Sequence, residues 1–548
     1  MKKNDINFGI GLLRDASANK GSGFSQEERE QFGLEGFLPI SIESEDTQIK
    51  RIKMQLEKIE KSIDKYVYLT NLQNINETLF YKIIMEHPDV YLPIIYDPTV
   101  GEACLNFHLI FQETRGLYIS EKHRGSIKKI LSSRPEKDIR FIVITDGSRI
   151  LGLGDLGANG MGISIGKLAL YTAVGSIPPQ HLLPIFFDMG TNNISYLNDS
   201  LYLGLRQNRI EGQPYFSLLD ELVNALNEVF PYCCIQFEDF ANYKAIYLLE
   251  KYKNKICMFN DDIQGTASVT VSAFYTANKI TGMKMRDHKI LFLGAGSAAH
   301  GIANLLCLAM QKEGLSEKEA IAKCWLFDTK GLVVSGRERL EDFKQKYAKD
   351  CKEVESFLEC IRLIKPTAIV GVSTQPHLFT EEIIKEMSKI NKNPLILPLS
   401  NPTTQEECSA EQAFSFSEGR ALFAAGVLFD NVNMNKKIYY PTQANNLWIF
   451  PSIGMAAFAT KSKRVDDEMF LIAAKALSNQ VSSEQLRCRM LFPDEKNIIE
   501  IVTVIAAEVA KYIFDNDLAR VDRPDHDDHI IELIRTSVYH PFYKKIKE

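Results

Sequence analysis

The chain has 548 residues, a net charge of −6, 45% apolar and 24% charged side chains. At roughly 100–200 residues per domain, that length predicts two large domains or three smaller ones. Its charge is dispersed without long like-sign blocks and no apolar run reaches about 18 residues, which argues against a nucleic-acid partner and a membrane partner.

The ten cysteines are sparse and none falls in a C-x-x-C pair, so buried, reduced thiols are expected. Met1 to Asp5 lead into no apolar run of signal-peptide type. Together these predict a cytoplasmic protein. Residues 1–65 read as a polar helical region interrupted by Gly21, Gly23, Gly33 and Gly36, with an amphipathic helix over 46–64. Residues 66–87 continue the helical pattern, and 90–95 read as a short β-type run closed by Asp97-Pro98.

The pattern changes at Arg140. Residues 141–144 read as a buried strand, followed by a glycine-rich stretch over 152–166 and a short helix starting at Lys167. Residues 182–187 read as a strand, 215–229 as a helix and 233–237 as a strand ending in Glu238-Asp239. A second series opens with the strand 289–293 and continues through 324–327, 368–372 and 395–397. Strands alternating with helices predict parallel α/β sheets. The chain is helical from Asp466, most clearly over 467–478 and 498–514, and the boundary between units is expected within 260–285.

Two stretches fit a dinucleotide glycine fingerprint. GAGSAA (294–299) follows the strand 290–293 directly and opens a helix over 298–310. Gly294 suits the tight turn, Gly296 the approach to a pyrophosphate, and Ala299 close helix packing. The helix N-terminus adds donors and a positive dipole end. Asp328 ends the next strand, further along than the usual ~20 residues, and is placed to bind ribose hydroxyls. GLGDLG (152–157) is the weaker match, because a turn separates its glycines from their strand.

Glu238-Asp239 and Asp261-Asp262 both follow apolar runs, and ligands gather at the carboxyl ends of strands in open α/β sheets. Such carboxylates suit Mg²⁺ or Mn²⁺. Spacing alone equally allows solvated loop carboxylates. Lys167 serves as a base only if its surroundings lower its proton affinity; otherwise it is an exposed helix-start lysine. Tyr96, beside a fixed turn, is either a proton donor or packing. Arg149 either clamps a carboxylate or sits on the surface.

Eight segments in order resemble the malic enzyme family: YDPTVG (96–101), TDGSRILGLGDLGANGMGISIGK (145–167), DMGTNN (188–193), QFEDFAN (236–242), FNDDIQGTAS (259–268), LFLGAGSAAHGIA (291–303), LSNPT (399–403) and QANNLWIFP (443–451). The resemblance implies oxidative decarboxylation of malate to pyruvate with NAD, favoured over NADP, and Mg²⁺ or Mn²⁺. It implies Lys167 as general base, Tyr96 as general acid, and Asp261 as the carboxylate paired with the lysine. It implies Glu238, Asp239 and Asp262 as metal ligands, with Asp262 also near the cofactor. Arg149 would contact both substrate and cofactor. Asn401, Asn445 and Asn446 would contact substrate, and Asn401 cofactor as well. GLGDLG becomes an active-site loop.

NAD is favoured because Asp328 would repel a 2′-phosphate and Gln345 stands where NADP-preferring relatives carry lysine, although Lys344 and Lys346 flank it. The implied fold is α/β: a helical N-terminal region (1–65), a catalytic α/β domain (66–260), and a Rossmann-type domain with a helical C-terminal tail (261–548). A homodimer or homotetramer is implied too. The rivals are a malolactic enzyme, which would give lactate, and a catalytically inactive nucleotide-binding protein. An amino-acid dehydrogenase also pairs a lysine with a Rossmann domain but needs no metal carboxylates.

Some animal relatives bind an activating fumarate through an arginine where this chain carries Ile75. An aliphatic side chain cannot clamp a dicarboxylate. Fumarate in a malate oxidation assay is therefore expected to leave the KM for malate unchanged; a clear lowering contradicts this.

Overall fold

The computed structural model describes residues 8–150 and 152–546; Met1 to Asp5, read above for targeting, lie outside that range. Two sheets organise the chain. The first has the order β1-β3-β2-β4-β5, from β1 (Leu117–Ser120), β2 (Phe141–Thr145), β3 (Leu182–Asp188), β4 (Cys234–Phe237) and β5 (Met258–Asn260). All its pairings are parallel. The second begins with β6 (Ile290–Leu293), β7 (Cys324–Asp328), β8 (Gly331–Leu332) and β9 (Ala368–Gly371). It continues with β10 (Leu395–Pro398) and β11 (Leu422–Ala425). A small hairpin of β12 (Val432–Met434) and β13 (Lys437–Tyr439) follows, and β14 (Thr442–Gln443) closes the series. The second sheet has the order β14-β11-β10-β9-β6-β7-β8, and only β8 runs antiparallel.

These orders locate the ligand sites. In the first sheet β2 connects to β3 on one side, while the neighbouring β4 connects to β5 on the other. The crevice between the carboxyl ends of β2 and β4 is thus a topological switch point. The same reversal falls between β6 and β9 in the second sheet. Ligands bind at such crevices because the diverging connections leave a gap there. β2 and β6 are buried at every residue, as parallel strands covered on both faces require.

Three local expectations are corrected. Residues 90–95 are not a strand: they belong to the helix Pro88–Ile95. Pro88 is set for a first helical turn, and Tyr91, Leu92 and Ile95 form one buried face. The amphipathic stretch 46–64 is divided between the helices Glu45–Leu56 and Ser62–Ile75, and Asn76 caps the next helix, Glu77–Glu86. Lys167 does not start a helix. It lies inside Met161–Ala173, buried to 2% exposure.

The chain beyond β14 returns to the first sheet. Tyr171 packs between Phe141 (4.0 Å between ring centres) and Phe450 (5.1 Å, edge to face), and Phe470 packs on Phe259 (5.7 Å). The helices Phe450–Thr460 and Asp467–Asn479 therefore share the core of the first unit. All ten cysteines are free, and all but Cys351 and Cys488 are buried. Among the described residues no helix is long and apolar enough to cross a membrane.

His288 pins the entry to β6. One ring nitrogen meets Thr367 Oγ1 at 2.9 Å and the other Asn278 Oδ1 at 2.7 Å. Burial pushes its pKa down to about 4, although Asp287 opposes the shift. The folded pKa lies below the unfolded one, so the stability contribution is complete above the unfolded pKa and declines as pH falls toward 4. Its slope within that window is at most about 1.4 kcal/mol per pH unit. Denaturant melts from pH 7 to 5 are expected to fall less steeply in His288→Gln than in the wild type; identical slopes contradict the assignment.

Candidate active site

The site begins with two helix glycines. Gly162 and Gly166 lie on one face of the helix Met161–Ala173. A Cβ at Gly162 would stand 3.0 Å from Cys104 Sγ; one at Gly166 would stand 3.7 Å from the Ile95 carbonyl oxygen and 3.9 Å from the Tyr96 ring. The missing side chain at Gly162 lets the helix Thr99–Leu105 lie close against the helix carrying Lys167, whereas a Cβ at Gly166 would meet only ordinary contacts. The Lys167 ammonium sits 5.4 Å from the centre of the Tyr96 ring and 4.2 Å from that of Phe450.

Lys167 Nζ donates to Asp261 Oδ2 at 2.5 Å and lies 2.9 Å from Glu238 Oε1. Burial alone would lower its pKa, but the Asp261 and Glu238 charges outweigh burial and hold the amine protonated. Asp261 is fully buried, its Oδ1 lacks a hydrogen-bond partner, and its Oδ2 also accepts from Asn446 Nδ2 at 3.2 Å. Burial raises the Tyr96 phenol, partly offset by Lys167, so its proton is retained at neutral pH.

Tyr96, Arg149, Lys167, Glu238, Asp239, Asp262, Asn401, Asn445 and Asn446 line one cleft. Asp261 lies beneath it. Ser297 and Ala298, at the start of the helix Ser297–Lys312, also line it. Arg149 Nη1 donates to Asn242 Oδ1, which also accepts from Ser297 Oγ at 2.8 Å. Asn242 thus joins the arginine of one unit to the glycine turn of the other.

The carboxylates Glu238, Asp239 and Asp262 have the hard oxygen chemistry that a divalent cation takes. Glu238 is raised by burial and by the Asp262 and Asp261 charges, against the pull of Lys167. Asp262 is pushed up to about 7 by burial and Asp239. Crowded like charges of this kind favour a bound cation. In the present rotamers they serve protein partners: Gln236 Nε2 donates to Glu238 at 2.7 Å, and the Asp239 amide to Asp262 Oδ2 at 2.8 Å. Among the described residues no group of three or more His, Cys, Asp or Glu side chains is arranged as a metal site.

Gly294 opens the dinucleotide turn at φ 111°, and a Cβ there would lie 2.5 Å from the Val372 carbonyl oxygen. Gly296 abuts Asn242, and Ala299 is fully buried. Asp328, at the end of β7, is engaged by Arg337 at 2.8 Å and Lys344 at 3.2 Å. That neutralises the charge expected to repel a 2′-phosphate. Asn445 caps the Leu447 amide, and Asn446 is turned onto Asp261 and Thr266 rather than into open space.

Asn242, Ser297 and Gly301 lie inside the motifs above, but spacing alone assigns them no role. Gly301 is tight because a Cβ would lie 2.4 Å from the Ile263 carbonyl oxygen, where the dinucleotide helix crosses the Asp261–Gly265 turn. The missed signal was a third glycine two positions beyond the fingerprint.

Residues 73–253 match the family described as malic enzyme, N-terminal domain, and residues 263–514 that described as malic enzyme, NAD binding domain. The chain is 46% identical over 543 residues to NADP-dependent malic enzyme 1 of Arabidopsis thaliana, covering 98% of this chain and 93% of that one. It is 44% identical over 537 residues to the mitochondrial NADP-dependent malic enzyme of Homo sapiens, covering 98% and 89%. Among solved structures, the malic enzyme of Entamoeba histolytica aligns with TM-score 0.57 at 20% identity, covering 94% of this chain and 92% of that one. At that identity the likeness concerns the fold alone.

Removing one carboxylate from the buried lysine leaves a less compensated charge. Asp261→Asn is expected to lose about 1–3 kcal/mol of stability in a denaturant titration; an unchanged midpoint contradicts the assigned pairing.

Proposed function

We propose that this chain, which belongs to the malic enzyme family, converts malate and oxidised nicotinamide dinucleotide to pyruvate, CO₂ and the reduced dinucleotide, with a divalent cation. The observation that carries this reading is the shared cleft, which Tyr96, Lys167 and Arg149 line together with Ser297 and Ala298 at the start of the dinucleotide helix.

The division of labour follows the two sheets, the first acting on substrate and the second holding cofactor. Glu238, Asp239 and Asp262 would hold Mg²⁺ or Mn²⁺ after Glu238 turns away from Lys167. When bound, the cation supplies positive charge beside the substrate's hydroxyl and carboxylate oxygens and reduces the proton affinity of the neighbouring amine. Arg149 orients the substrate by clamping its carboxylate bidentately. Asn401 and Asn445 contact substrate at the cleft wall, and Asn446 acts by holding Asp261.

Lys167, freed from Glu238, would first release its ammonium proton to solvent as the cation binds, and the neutral amine then accepts the C2 hydroxyl proton while hydride passes from C2 to the nicotinamide. Loss of CO₂ leaves an enolate. Tyr96 delivers a proton to its methylene carbon, giving pyruvate, and the proton on Lys167 then restores the phenol. Atoms and charge balance over the cycle without a further reactant.

For the cofactor, NAD remains the first reading, resting on Gln345 alone, since the Asp328 charge is neutralised. NADP is the second reading. It is supported by the Arg337 and Lys344 charges on Asp328 and by the NADP-dependent relatives. We also propose a cytoplasmic homodimer or homotetramer.

The test follows reduced-nicotinamide absorbance with malate, Mn²⁺, and NAD or NADP in parallel. Equal amounts of pyruvate and reduced dinucleotide are expected, with loss of turnover in EDTA. Lactate without reduced dinucleotide would instead identify a malolactic enzyme, and cofactor binding without turnover an inactive protein. Lys167→Ala should lower kcat by about 10²–10⁴-fold while the fold and cofactor binding persist.

A further inference from the structure

Behind the cleft lies a second group of buried charges. Asp146 follows β2 and is fully buried. Its Oδ2 accepts from Tyr215 Oη at 2.7 Å and from Lys244 Nζ at 3.2 Å, and lies 3.6 Å from Arg209 Nη1. Arg209 also donates to the Asp146 carbonyl at 2.8 Å and pairs with Asp155 at 2.7 Å. Two cations and a phenol thus fix one face of the carboxylate.

The other face points toward the site. Asp146 Oδ1 accepts from the Ser148 amide at 3.0 Å and from Ser148 Oγ at 2.5 Å. Ser148 Oγ in turn accepts from the Ala241 amide at 2.9 Å, and the Arg149 amide donates to the Asp239 carbonyl at 3.2 Å. These bonds join the turns beyond β2 and β4, where the sheet ladder has ended at the Ile144–Phe237 pair. Asp239 needs such support, because its φ of 57° lies in the left-handed region that a non-glycine residue adopts only at a cost.

We propose that Asp146, acting through Ser148, is a positioning residue that holds the Arg149 turn and the strained Asp239 loop in mutual register. The inference rests on the substrate and metal roles proposed for Arg149 and Asp239. Arg209 and Lys244 keep the Asp146 charge in place, and Arg209 extends the brace to Asp155. Asp155 in turn ties down the 191–193 loop by accepting from Thr191 Oγ1 and the Asn192 amide, each at 2.9 Å.

Ser148→Ala tests this in the full chain, because it cuts the bridge and leaves the buried ion pairs whole. Mn²⁺ affinity is read from the electron paramagnetic resonance of the free ion, malate KM and kcat from turnover, and NADH affinity from fluorescence. The loss of one bridging hydroxyl is expected to raise both the Mn²⁺ Kd and the malate KM about three- to tenfold. NADH affinity should stay within about twofold, and Ser148→Thr, which keeps the hydroxyl, should recover most of both losses. Asp146→Asn should shift the same two constants. Wild-type constants in folded Ser148→Ala would overturn the proposal, as would equal weakening of all three ligands, which marks a merely structural residue. If the wild type fails to oxidise malate, the proposed function falls, while the Mn²⁺ Kd of the variants still decides the positioning role.

Discussion

A lysine ammonium buried between two carboxylates is the constraint around which this molecule is arranged. Lys167 has almost no solvent, so its charge persists only while Asp261 and Glu238 surround it. An isolated buried charge costs far more than any packing gain at that position. The three residues come from a helix, a turn after β5 and the end of β4, so the pairing fixes where these elements meet. The same arrangement holds two negative charges beside a cleft with further acidic side chains, which a metal would relieve.

Both sheets use one topological device. Each reverses its connections between two central strands, and each opens its crevice toward the other. Arg149 and Glu238 emerge from the first reversal; Gly294 and Val372 emerge from the second. Asn242 spans the gap, accepting from Arg149 on one side and Ser297 on the other. Proximity of substrate and cofactor sites is therefore a property of strand order before it is a property of side chains.

Much of this was legible in the residues. The strands β2, β3, β4, β6, β7, β9 and β10 were anticipated within a residue or two, because buried parallel strands read as continuous apolar runs. β1 and β11 were not anticipated. The stretch 90–95 misled because a short apolar run fits either period, and the proline at its start was the deciding signal. The Lys167 helix starts earlier than its glycines suggest, because Gly162 lies inside the helix and serves close contact with Cys104. Spacing could not bring Tyr96, Lys167 and Asp262 together; resemblance supplied that grouping, and the fold gathers them in one cleft. The charges on Asp328 escaped because Arg337 and Lys344 return to it through an irregular segment with no periodic signature.

The polypeptide runs between the two sheets more than once: from β5 to β6, from β14 to the helix Phe450–Thr460, and again at Arg489, whose guanidinium donates to Asn393 and to the Arg420 carbonyl beside the second sheet. Each covalent crossing is a tether of fixed length, so the substrate wall and the nicotinamide wall are held to one another by the backbone as well as by the Asn242 side chain.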